Sequence, residues 1–443
     1  MSNNDLVEFV KVLKSDELVE EVGELKRYYE PVKHIRRVEN KGKILIFKIV
    51  NSPLRCIANV INSRNIVMKI FNAGSDEDLY IKLISLISNV KTSIKGYIEK
   101  GFLRIKDFHS MYTRFNGGIE ALPSIKFFEK DGGEYITSSI VVAELPDMAL
   151  HYNASIHRLM RIDNRGYAIR LVPRHLYKIY VENRKKDLET PIAIVVGVHP
   201  AILFLASTSP PYGVFELTGY RHITGKPLDI VLTPKYGIPV PANATIVMEG
   251  RITLDEVNEG PFVDILQLYD KVRKQPLVKI DDIYVNRLGG YFHVILPGGI
   301  EHRLLMGLPR EAMIWEHVRR VVPGVVKVRL TPGGGQWLNA VISINKLSEG
   351  EGKLAIMAAF TAHPSLKNVI VVDSDIDPDN PTEVEWALAT RFQASKDLVI
   401  IKGVKGSTLD PSAEDGITDK LGIDATAPLK DREKYLRPKL PRE

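Results

Sequence analysis

A run of short, β-branched segments separated by turn signals occupies residues 134–297 and constrains the fold more than any other feature. The segments that read as strands are 135–145, 167–172, 192–198, 228–233 and 245–252. Strands at this regular spacing, with few helical patterns between them, are typical of a β-barrel or a β-sandwich. One helix is expected inside this region, over 173–186, because Pro173 stands at a favoured first-turn position.

The regions on either side of this run alternate helical and strand patterns instead. Before it, apolar residues recur at helical spacing from Leu6 to Leu13, a strand is expected at 43–50, and a long helix at 78–101 ends at Gly101. After it, helices are expected at 311–322, 353–363 and 381–393, and strands at 325–331 and 368–375. Such alternation predicts parallel βαβ topology in the C-terminal part.

A chain of 443 residues exceeds a single hydrophobic core, so several domains are expected. We predict an α+β multidomain protein with an N-terminal α/β domain over 1–118, a central β-domain over 119–304 and a C-terminal α/β domain over 305–443. The charged, proline-containing segment 427–443 is expected to be an extended tail.

Composition excludes several classes of function. The 60 basic and 54 acidic residues are interleaved, so the net charge of +6 favours an anionic small molecule over nucleic acid. The one cysteine, Cys56, excludes a cysteine-rich metal site and reads as part of an apolar strand. The N-terminus lacks a signal-peptide pattern, and the apolar run 191–207 is interrupted and reads as buried strand and turn. We therefore expect a cytoplasmic protein without a membrane partner.

Two segments that resemble ligand-binding motifs lack the residues that those motifs require. The acidic run 373–381 has Pro378 and Val384 where a calcium loop requires its turn glycine and its bidentate glutamate. It is better explained as a strand end followed by a capped helix. The glycine-containing segments 331–338 and 403–408 lack the spacing of a phosphate-binding loop.

Chemistry-bearing residues remain at four places in the β-rich region, which are 151–160, 173–175, 210–220 and 257–267. Each is weak when taken alone. A lone histidine such as His175 is more often a surface or core residue, Glu216 is more often a solvated charge, and Arg158 could pair with any carboxylate.

Together the four segments form an ordered set of motifs. They read N-x-S-I-x-R at Asn153–Arg158, P-x-H at Pro173–His175, a Glu216 segment and E-G-P-[FY]-x-D at Glu259–Asp264. In their order and approximate intervals they resemble the UbiD-type decarboxylases, and segments 370–397 and 420–426 are similar to the C-terminal part of that family. The resemblance spans about residues 120–426.

The resemblance implies a central split β-barrel of the flavin-reductase-like type and prenylated FMN as cofactor, made by a separate flavin prenyltransferase. It also implies a divalent metal, Mn²⁺ or Mg²⁺, with a monovalent cation such as K⁺. The positions that match the metal ligands are Asn153, His175 and Glu216, and those that match flavin contacts are Ser155, Ile156, His157, Arg158, Arg170, Leu171, Val172 and Lys420. An ordinary β-core role remains an alternative for Ile156, Leu171 and Val172.

The catalytic positions implied by the resemblance are Arg158, Glu259 and Asp264. An arginine can orient a substrate carboxylate by a bidentate contact, and a carboxyl group can deliver the proton after carbon dioxide leaves. Which of Glu259 and Asp264 delivers that proton stays open.

The substrate implied by a compact archaeal branch of the family is trans-anhydromevalonate 5-phosphate, which gives isopentenyl phosphate for isoprenoid synthesis. Such a phosphorylated acid predicts arginine or lysine at the pocket mouth beyond Arg158. The alternatives are an aromatic or prenylated hydroxybenzoic acid as substrate, or a flavin-binding protein without turnover. A homo-oligomer, dimer or hexamer, is expected.

Overall fold

A computed structural model describes residues 6–14, 17–86 and 91–438. The chain divides into two compact units, one formed by residues 1–73 with 85–302 and the other by residues 74–84 with 303–443. The three-domain division expected from the sequence stays a prediction. Among the described residues, no helix is both long enough and apolar enough to span a membrane.

The first unit is mainly β-structure. Its strands are β1 (Val19–Leu25), β2 (Ile44–Ile49), β3 (Arg55–Ala58), β4 (Leu103–Ile105), β5 (Tyr112–Arg114), β6 (Tyr135–Leu145), β7 (Met148–Ile162), β8 (Gly166–Ile169), β9 (Thr190–Val196), β10 (Leu228–Leu232), β11 (Pro239–Pro241), β12 (Ile246–Glu259), β13 (Phe262–Val263), β14 (Tyr269–Asp270), β15 (Arg273–Asn286) and β16 (Phe292–Val294). The helices that precede residue 303 in the chain, of which α4 lies mostly in the second unit, are α1 (Leu6–Lys14), α2 (Glu30–Glu39), α3 (Arg64–Phe71), α4 (Asp76–Ser85), α5 (Ile94–Glu99), α6 (Phe108–Met111), α7 (His175–Arg184), α8 (Pro200–Ser207), α9 (Tyr220–Thr224) and the first residues of α10 (Ile300–Arg319).

The largest sheet closes into a ring. Its order is β12-β9-β6-β7-β8-β15, and β15 pairs back to β12, while β5 adds to the outer side of β15. The ring pairs are antiparallel, and the closing pair runs from Ile246↔Val285 to Glu259↔Arg273. Ring closure favours the barrel over the sandwich among the two folds expected from the sequence.

Residues at every second position of the ring strands form its apolar core. On β6 these are Val141, Ala143 and Leu145, all of them buried in one hydrophobic cluster. This period of two follows from the alternation of side chains across a pleated strand.

Three smaller sheets complete the first unit. One has the order β1-β2-β3-β16, so that a strand following the ring completes the N-terminal sheet. Another has the order β11-β10-β4, and β13 and β14 form a two-stranded hairpin. The hairpin lies between the end of β12 and the start of β15 in the chain, and it carries the loop 264–268.

The second unit contains the strands β17 (Val325–Leu330), β18 (Asn339–Ile344), β19 (Asn368–Asp373), β20 (Leu398–Lys405) and β21 (Ile417–Ala425). They form a five-stranded sheet in the order β17-β18-β19-β21-β20. The further helices of this unit are α11 (Glu351–Ala362), α12 (Pro381–Arg391) and α13 (Ala394–Asp397). The central pairs are parallel, whereas both edge pairs are antiparallel. The predicted parallel βαβ topology is therefore confirmed for the central pairs and wrong for the edge strands β17 and β20, which pair antiparallel.

Most local predictions are confirmed. The strand expected at 135–145 is β6 with the same bounds, and the helix expected within 173–186 is α7. Cys56 is buried in β3, where burial raises the pKa of its thiol. The run 373–381 is the end of β19 followed by α12, whose N-cap Asn380 accepts a hydrogen bond from the Thr382 N–H.

Two local predictions are wrong. The long helix at 78–101 is divided, since α4 ends at Ser85 and α5 begins at Ile94; residues 87–90 lie outside the described residues. The reason is that the Ser93 hydroxyl caps a new helix by accepting a hydrogen bond from the Gly96 N–H. The second half of 191–207 is helix α8, not strand and turn, because Pro200 occupies the first helical position.

Candidate active site

Three predicted metal ligands converge at the start of α7. Glu216 accepts hydrogen bonds from the Asn153 side-chain amide at 2.5 Å and from the Ala154 N–H at 2.6 Å. The His175 Nδ1 lies 3.8 Å from the same carboxylate. Asn153 and Glu216 are both buried at 3 % exposure, and Glu216 lies in a short 3-10 helix. The structure thus brings together residues from three separate segments of the chain.

The donor set fits a hard divalent cation. Burial raises the pKa of Glu216, although His175 and the Ala154 N–H lower it. Carboxylate oxygen, amide oxygen and imidazole nitrogen suit Mn²⁺ or Mg²⁺ better than a metal that prefers thiolates. Across the described ranges no group of three His, Cys, Asp or Glu side chains is arranged to hold a metal.

A hydrogen-bonded chain runs along β7 from this cluster. Asn153, Ser155 and His157 are alternate residues of one strand, so their side chains lie on the same side. The pKa of His157 is lowered to about 4, mainly by burial, and the ring is therefore neutral near pH 7. Its Nδ1 lies 2.9 Å from the Arg170 carbonyl and its Nε2 lies 2.9 Å from the Ser155 hydroxyl.

The Arg170 carbonyl decides how the protons of this chain are placed. A carbonyl only accepts hydrogen bonds, so the neutral His157 ring must carry its proton on Nδ1. The Nε2 atom then accepts from the Ser155 hydroxyl, whose single proton is used there. The Ser155 Oγ atom also lies 3.1 Å from Asn153 Oδ1. The lone pairs of Asn153 Oδ1 therefore stay available for a cation.

Arg158 forms a buried ion pair with Glu259. Its Nε and Nη2 atoms donate to the two carboxylate oxygens of Glu259 at 2.8 and 2.9 Å, and Glu259 is fully buried at 0 % exposure. The guanidinium lies 4.7 Å from the ring centroid of Phe262, and the Tyr135 hydroxyl donates to Glu259 at 3.3 Å. Burial lowers the pKa of Arg158, but the Glu259 pair more than offsets this and raises it. Arg158 and Glu259, two of the three catalytic positions that the resemblance implies, are thus in direct contact.

The second acid at this guanidinium is Asp270, and not Asp264, the other acid among the implied catalytic positions. Arg158 Nη2 lies 3.4 Å from an Asp270 oxygen. Asp264 Oδ1 instead accepts hydrogen bonds from the backbone N–H groups of Leu266 and Leu268, at 2.8 and 3.1 Å. Within the described chain Asp264 makes neither a hydrogen bond nor an ion pair with Arg158. The reason is local, because Asp264 closes the tight loop of the β13–β14 hairpin.

Sequence reasoning missed Asp270 and also Arg273, whose Nη1 lies 2.5 Å from Asp270. The available signal was the cluster of charged residues in 270-DKVRK-274, which begins six residues after Asp264. The pKa of Asp270 is lowered, since the hydrogen bond from Arg273 and the charges of Arg273, Arg158 and Arg170 outweigh the effect of burial.

The remaining predicted flavin contacts lie on β7, in the segment after β8 and on β21, so they belong to both units. Ile156 lies half-buried on β7, the Leu171 N–H donates to Gln275 Oε1 at 2.7 Å, and Val172 is exposed. Lys420 is a residue of β21 in the second unit, where it donates to the carbonyls of Pro364 and Leu366 at 2.7 and 2.6 Å. The flavin-binding roles of these residues stay predictions.

Family models match most of the chain. Residues 108–300 match the 3-octaprenyl-4-hydroxybenzoate carboxy-lyase Rift-related domain, and residues 303–425 match the C-terminal domain of the same family. Together with a buried arginine–carboxylate pair beside a cluster suited to a cation, this match defines the class of protein. The chain belongs to the UbiD family of carboxy-lyases.

Individual relatives agree with this membership. A protein from Aeropyrum pernix named anhydromevalonate phosphate decarboxylase is 45% identical over 417 residues, which cover 94% of this chain and 92% of that protein. A protein of the same name from Methanocaldococcus jannaschii is 41% identical over 407 residues, covering 90% of this chain and 92% of the relative.

The structure is similar to that of the UbiD-class enzyme HmfF from Pelotomaculum thermopropionicum. The complex of HmfF with FMN superimposes with a TM-score of 0.91 at 33% identity and covers 98% of this chain and 97% of the HmfF chain. An evolved dimeric form of HmfF in complex with prFMN gives a TM-score of 0.88 at 31% identity, covering 99% of this chain and 97% of that one.

Proposed function

We propose that this chain is a decarboxylase that uses prenylated FMN to convert trans-anhydromevalonate 5-phosphate to isopentenyl phosphate. The observation that supports it most is the buried pair of Arg158 and Glu259, which shares strand β7 with the Asn153 cluster. The names of the archaeal relatives support the substrate, and the FMN and prFMN complexes of HmfF support the cofactor.

The residues present fit the cofactor and its metal. Asn153, His175 and Glu216 would hold Mn²⁺ or Mg²⁺ at the flavin phosphate, with K⁺ nearby. The flavin would contact Ser155, Ile156, His157, Arg158, Arg170, Leu171, Val172 and Lys420. When bound, the modified flavin supplies a sink for the electron pair that decarboxylation leaves on the substrate.

Arg158 would hold the substrate carboxylate. Glu259 takes one edge of the guanidinium, and a guanidinium has five N–H donors, so further donors remain for a second carboxylate. The bond between the substrate carbon and its carboxylate carbon breaks, carbon dioxide leaves, and a proton replaces it on the same carbon. Glu259 or Asp264 would deliver that proton, and the burial of Glu259 excludes water from this step.

The substrate is tested by producing the chain together with a flavin prenyltransferase and assaying it without oxygen. We expect turnover of trans-anhydromevalonate 5-phosphate with release of isopentenyl phosphate, and no turnover of aromatic or prenylated hydroxybenzoic acids. Consumption of an aromatic acid, with the phosphorylated acid untouched, would overturn the proposed substrate while leaving the chain a decarboxylase.

A catalytic role is distinguished from flavin binding alone by Glu259→Gln. Loss of the carboxylate should abolish turnover while the flavin content, measured from the absorbance of the purified protein, stays at the wild-type level. The matched control is Glu256→Gln on the same strand, because Glu256 is exposed and pairs with Arg184 at 2.6 Å. Wild-type turnover in Glu259→Gln would remove Glu259 from the mechanism.

We further propose that the closed ring is a split barrel of the flavin-reductase-like type and that the protein is a cytoplasmic homo-oligomer, a dimer or a hexamer. The dimeric form of HmfF and the closure of β12 on β15 support these statements. Light scattering of the purified protein measures the mass of the assembly, and a monomeric mass would contradict the proposal.

A further inference from the structure

Three arginine side chains meet at one carboxylate beside the Arg158–Glu259 pair. Asp270 lies 2.5 Å from Arg273, 3.4 Å from Arg158 and 4.0 Å from Arg170. We call Asp270, Arg170 and Arg273 together the Asp270 cluster. The proposed reaction gives Arg273 no role, and it gives Arg170 only a contact with the flavin.

The ring forces the three arginines together. Arg158 lies on β7, Arg170 follows the end of β8, and Arg273 begins β15, and these are consecutive strands of the ring. The Arg170 N–H donates to the Arg158 carbonyl at 3.2 Å, so the two residues are direct neighbours on adjacent strands. Arg273 stands opposite Glu259 in the pairing of β12 with β15.

This arrangement is electrostatically costly without a ligand. Like charges on neighbouring strands are destabilising, and three guanidinium groups face the two carboxylates of Asp270 and Glu259, which leaves one positive charge. The pKa of Arg170 is lowered by burial and then by the charges of Arg273 and Arg158, which outweigh Asp270 and Glu259. The Asp264 carboxylate is hydrogen-bonded within its own loop.

The two additional guanidiniums are partly exposed. Arg170 Nη1 donates to the Leu171 carbonyl at 3.4 Å and Arg273 Nη1 to the Lys271 carbonyl at 3.2 Å, which leaves their other N–H donors for a ligand. The side chains of Arg170 and Arg273 are 21% and 27% exposed, whereas Glu259 is fully buried. The backbone carbonyl of Arg170 accepts a hydrogen bond from His157, whereas the Arg170 guanidinium faces Asp270. A forked guanidinium matches two oxygens of a phosphate, and two such forks match a phosphomonoester dianion.

We propose that Arg170 and Arg273 bind the phosphate group of the substrate, with Asp270 as the positioning residue that sets them beside Arg158; this inference rests on the proposed function. Arg158 then holds the carboxylate end of the same molecule. A substrate with a negative group at each end is thereby fixed in one direction, with its carboxylate at the reacting position.

The test compares Arg273→Met with Lys274→Met in the flavin-loaded enzyme. Lys274 is the matched control, because it is the next residue of β15, carries the same charge, is exposed and points to the opposite side of the strand. We expect Arg273→Met to raise KM for trans-anhydromevalonate 5-phosphate by about tenfold or more, since a charge-assisted hydrogen bond is lost. We expect kcat to change by less than about twofold, because the reacting end is untouched.

Binding gives a second readout that does not depend on turnover. Calorimetry of the flavin-loaded wild type should show tighter binding of isopentenyl phosphate than of isopentenol. Arg273→Met should lose most of this preference, Arg273→Lys should keep part of it, and Lys274→Met should keep all of it. Should Arg273→Met not fold, the same comparison is made with Arg273→Lys, which retains the charge but not the fork.

The outcomes separate the two proposals. If the wild type does not convert the phosphorylated acid, the proposed function fails. If the wild type converts it but Arg273→Met and Arg273→Lys show unchanged KM and binding, only the phosphate site is wrong. Equal losses in Arg273→Met and Lys274→Met would also overturn it, because they would indicate a general effect of net charge.

Discussion

At the scale of single residues, the site is set by how two carboxylates differ in their surroundings. Glu259 is buried and accepts hydrogen bonds from Nε and Nη2 of Arg158. The Asp264 side chain instead accepts hydrogen bonds from backbone N–H groups in its own loop. Burial raises the pKa of Asp264, and the Asp270 charge adds to this, although the Leu266 and Leu268 N–H groups and Arg158 oppose it. Asp264 is therefore suited to hold a proton above the usual pH range of an aspartate.

The pH dependence of turnover identifies the proton donor. If protonated Asp264 delivers the proton, kcat falls as the pH rises through its pKa, which lies above the ordinary value of about 3.9. We expect Asp264→Asn to lose turnover and Asp264→Glu to retain it with a displaced alkaline limb. The measurement is kcat against pH for the flavin-loaded enzyme. If Asp264→Asn keeps turnover with the same alkaline limb in its kcat–pH profile as the wild type, Glu259 is the proton donor.

At the scale of elements, β8 can pair with β15 in the ring only because a glycine, which has no side chain, lies where the two backbones approach closely. Gly166 begins β8 with φ of 132°, and a Cβ built there would lie 1.9 Å from the Val278 carbonyl oxygen on β15. The pairing of β8 with β15 is what places Arg170 next to Arg273. A single glycine thus supports both the ring and the Asp270 cluster.

Gly166→Ala should therefore destabilise the protein strongly. We expect a loss of more than about 3 kcal/mol, from the clash and from the positive φ together. Gly225→Ala is the control, because Gly225 also has a positive φ of 72° but no atom lies within 4 Å of its Cβ position, so about 1 kcal/mol is expected. The measurement is the unfolding midpoint without flavin; equal shifts in the two variants would contradict the close approach.

The elements were predicted well from sequence where local rules decide them. The strand β6 follows from its β-branched residues and the turn signals around it. The helix α7 lies where the sequence predicts it, but it begins at His175 with Arg174 as its N-cap, so Pro173 precedes the helix and does not occupy its first turn. The division of the expected long helix was missed, because the capping role of Ser93 depends on a backbone conformation that an uninterrupted apolar pattern conceals.

At the scale of the whole molecule, cofactor and metal are proposed to share one cluster on the first unit. Asn153, His175 and Glu216 come from positions 63 residues apart or less, and a cation would neutralise the buried Glu216. Binding of a ligand to the folded state alone stabilises that state.

FMN and Mn²⁺ should therefore stabilise the wild type together. At a concentration about a hundred times Kd the gain is about 2.7 kcal/mol, visible as a raised Tm. EDTA should reverse the gain, and Glu216→Gln should show little of it whatever its own Tm. Mn²⁺ without flavin is the control. A full gain from FMN in the presence of EDTA would contradict a metal at this cluster.

The sequence by itself determined the strand and helix patterning, the order of the motifs and the residue types of the cluster proposed to hold a metal, because these depend on periodicity and on spacing along the chain. Only the tertiary structure decided which acids meet Arg158. Asp270 replaces Asp264 there, because the β13–β14 hairpin carries Asp270 to Arg158 while its loop holds Asp264. Arg170 and Arg273 join it, because β7, β8 and β15 are neighbours in the ring. The contacts of Arg158 with residues 101 and 112 positions away join strands that do not pair with each other, so no local pattern records them.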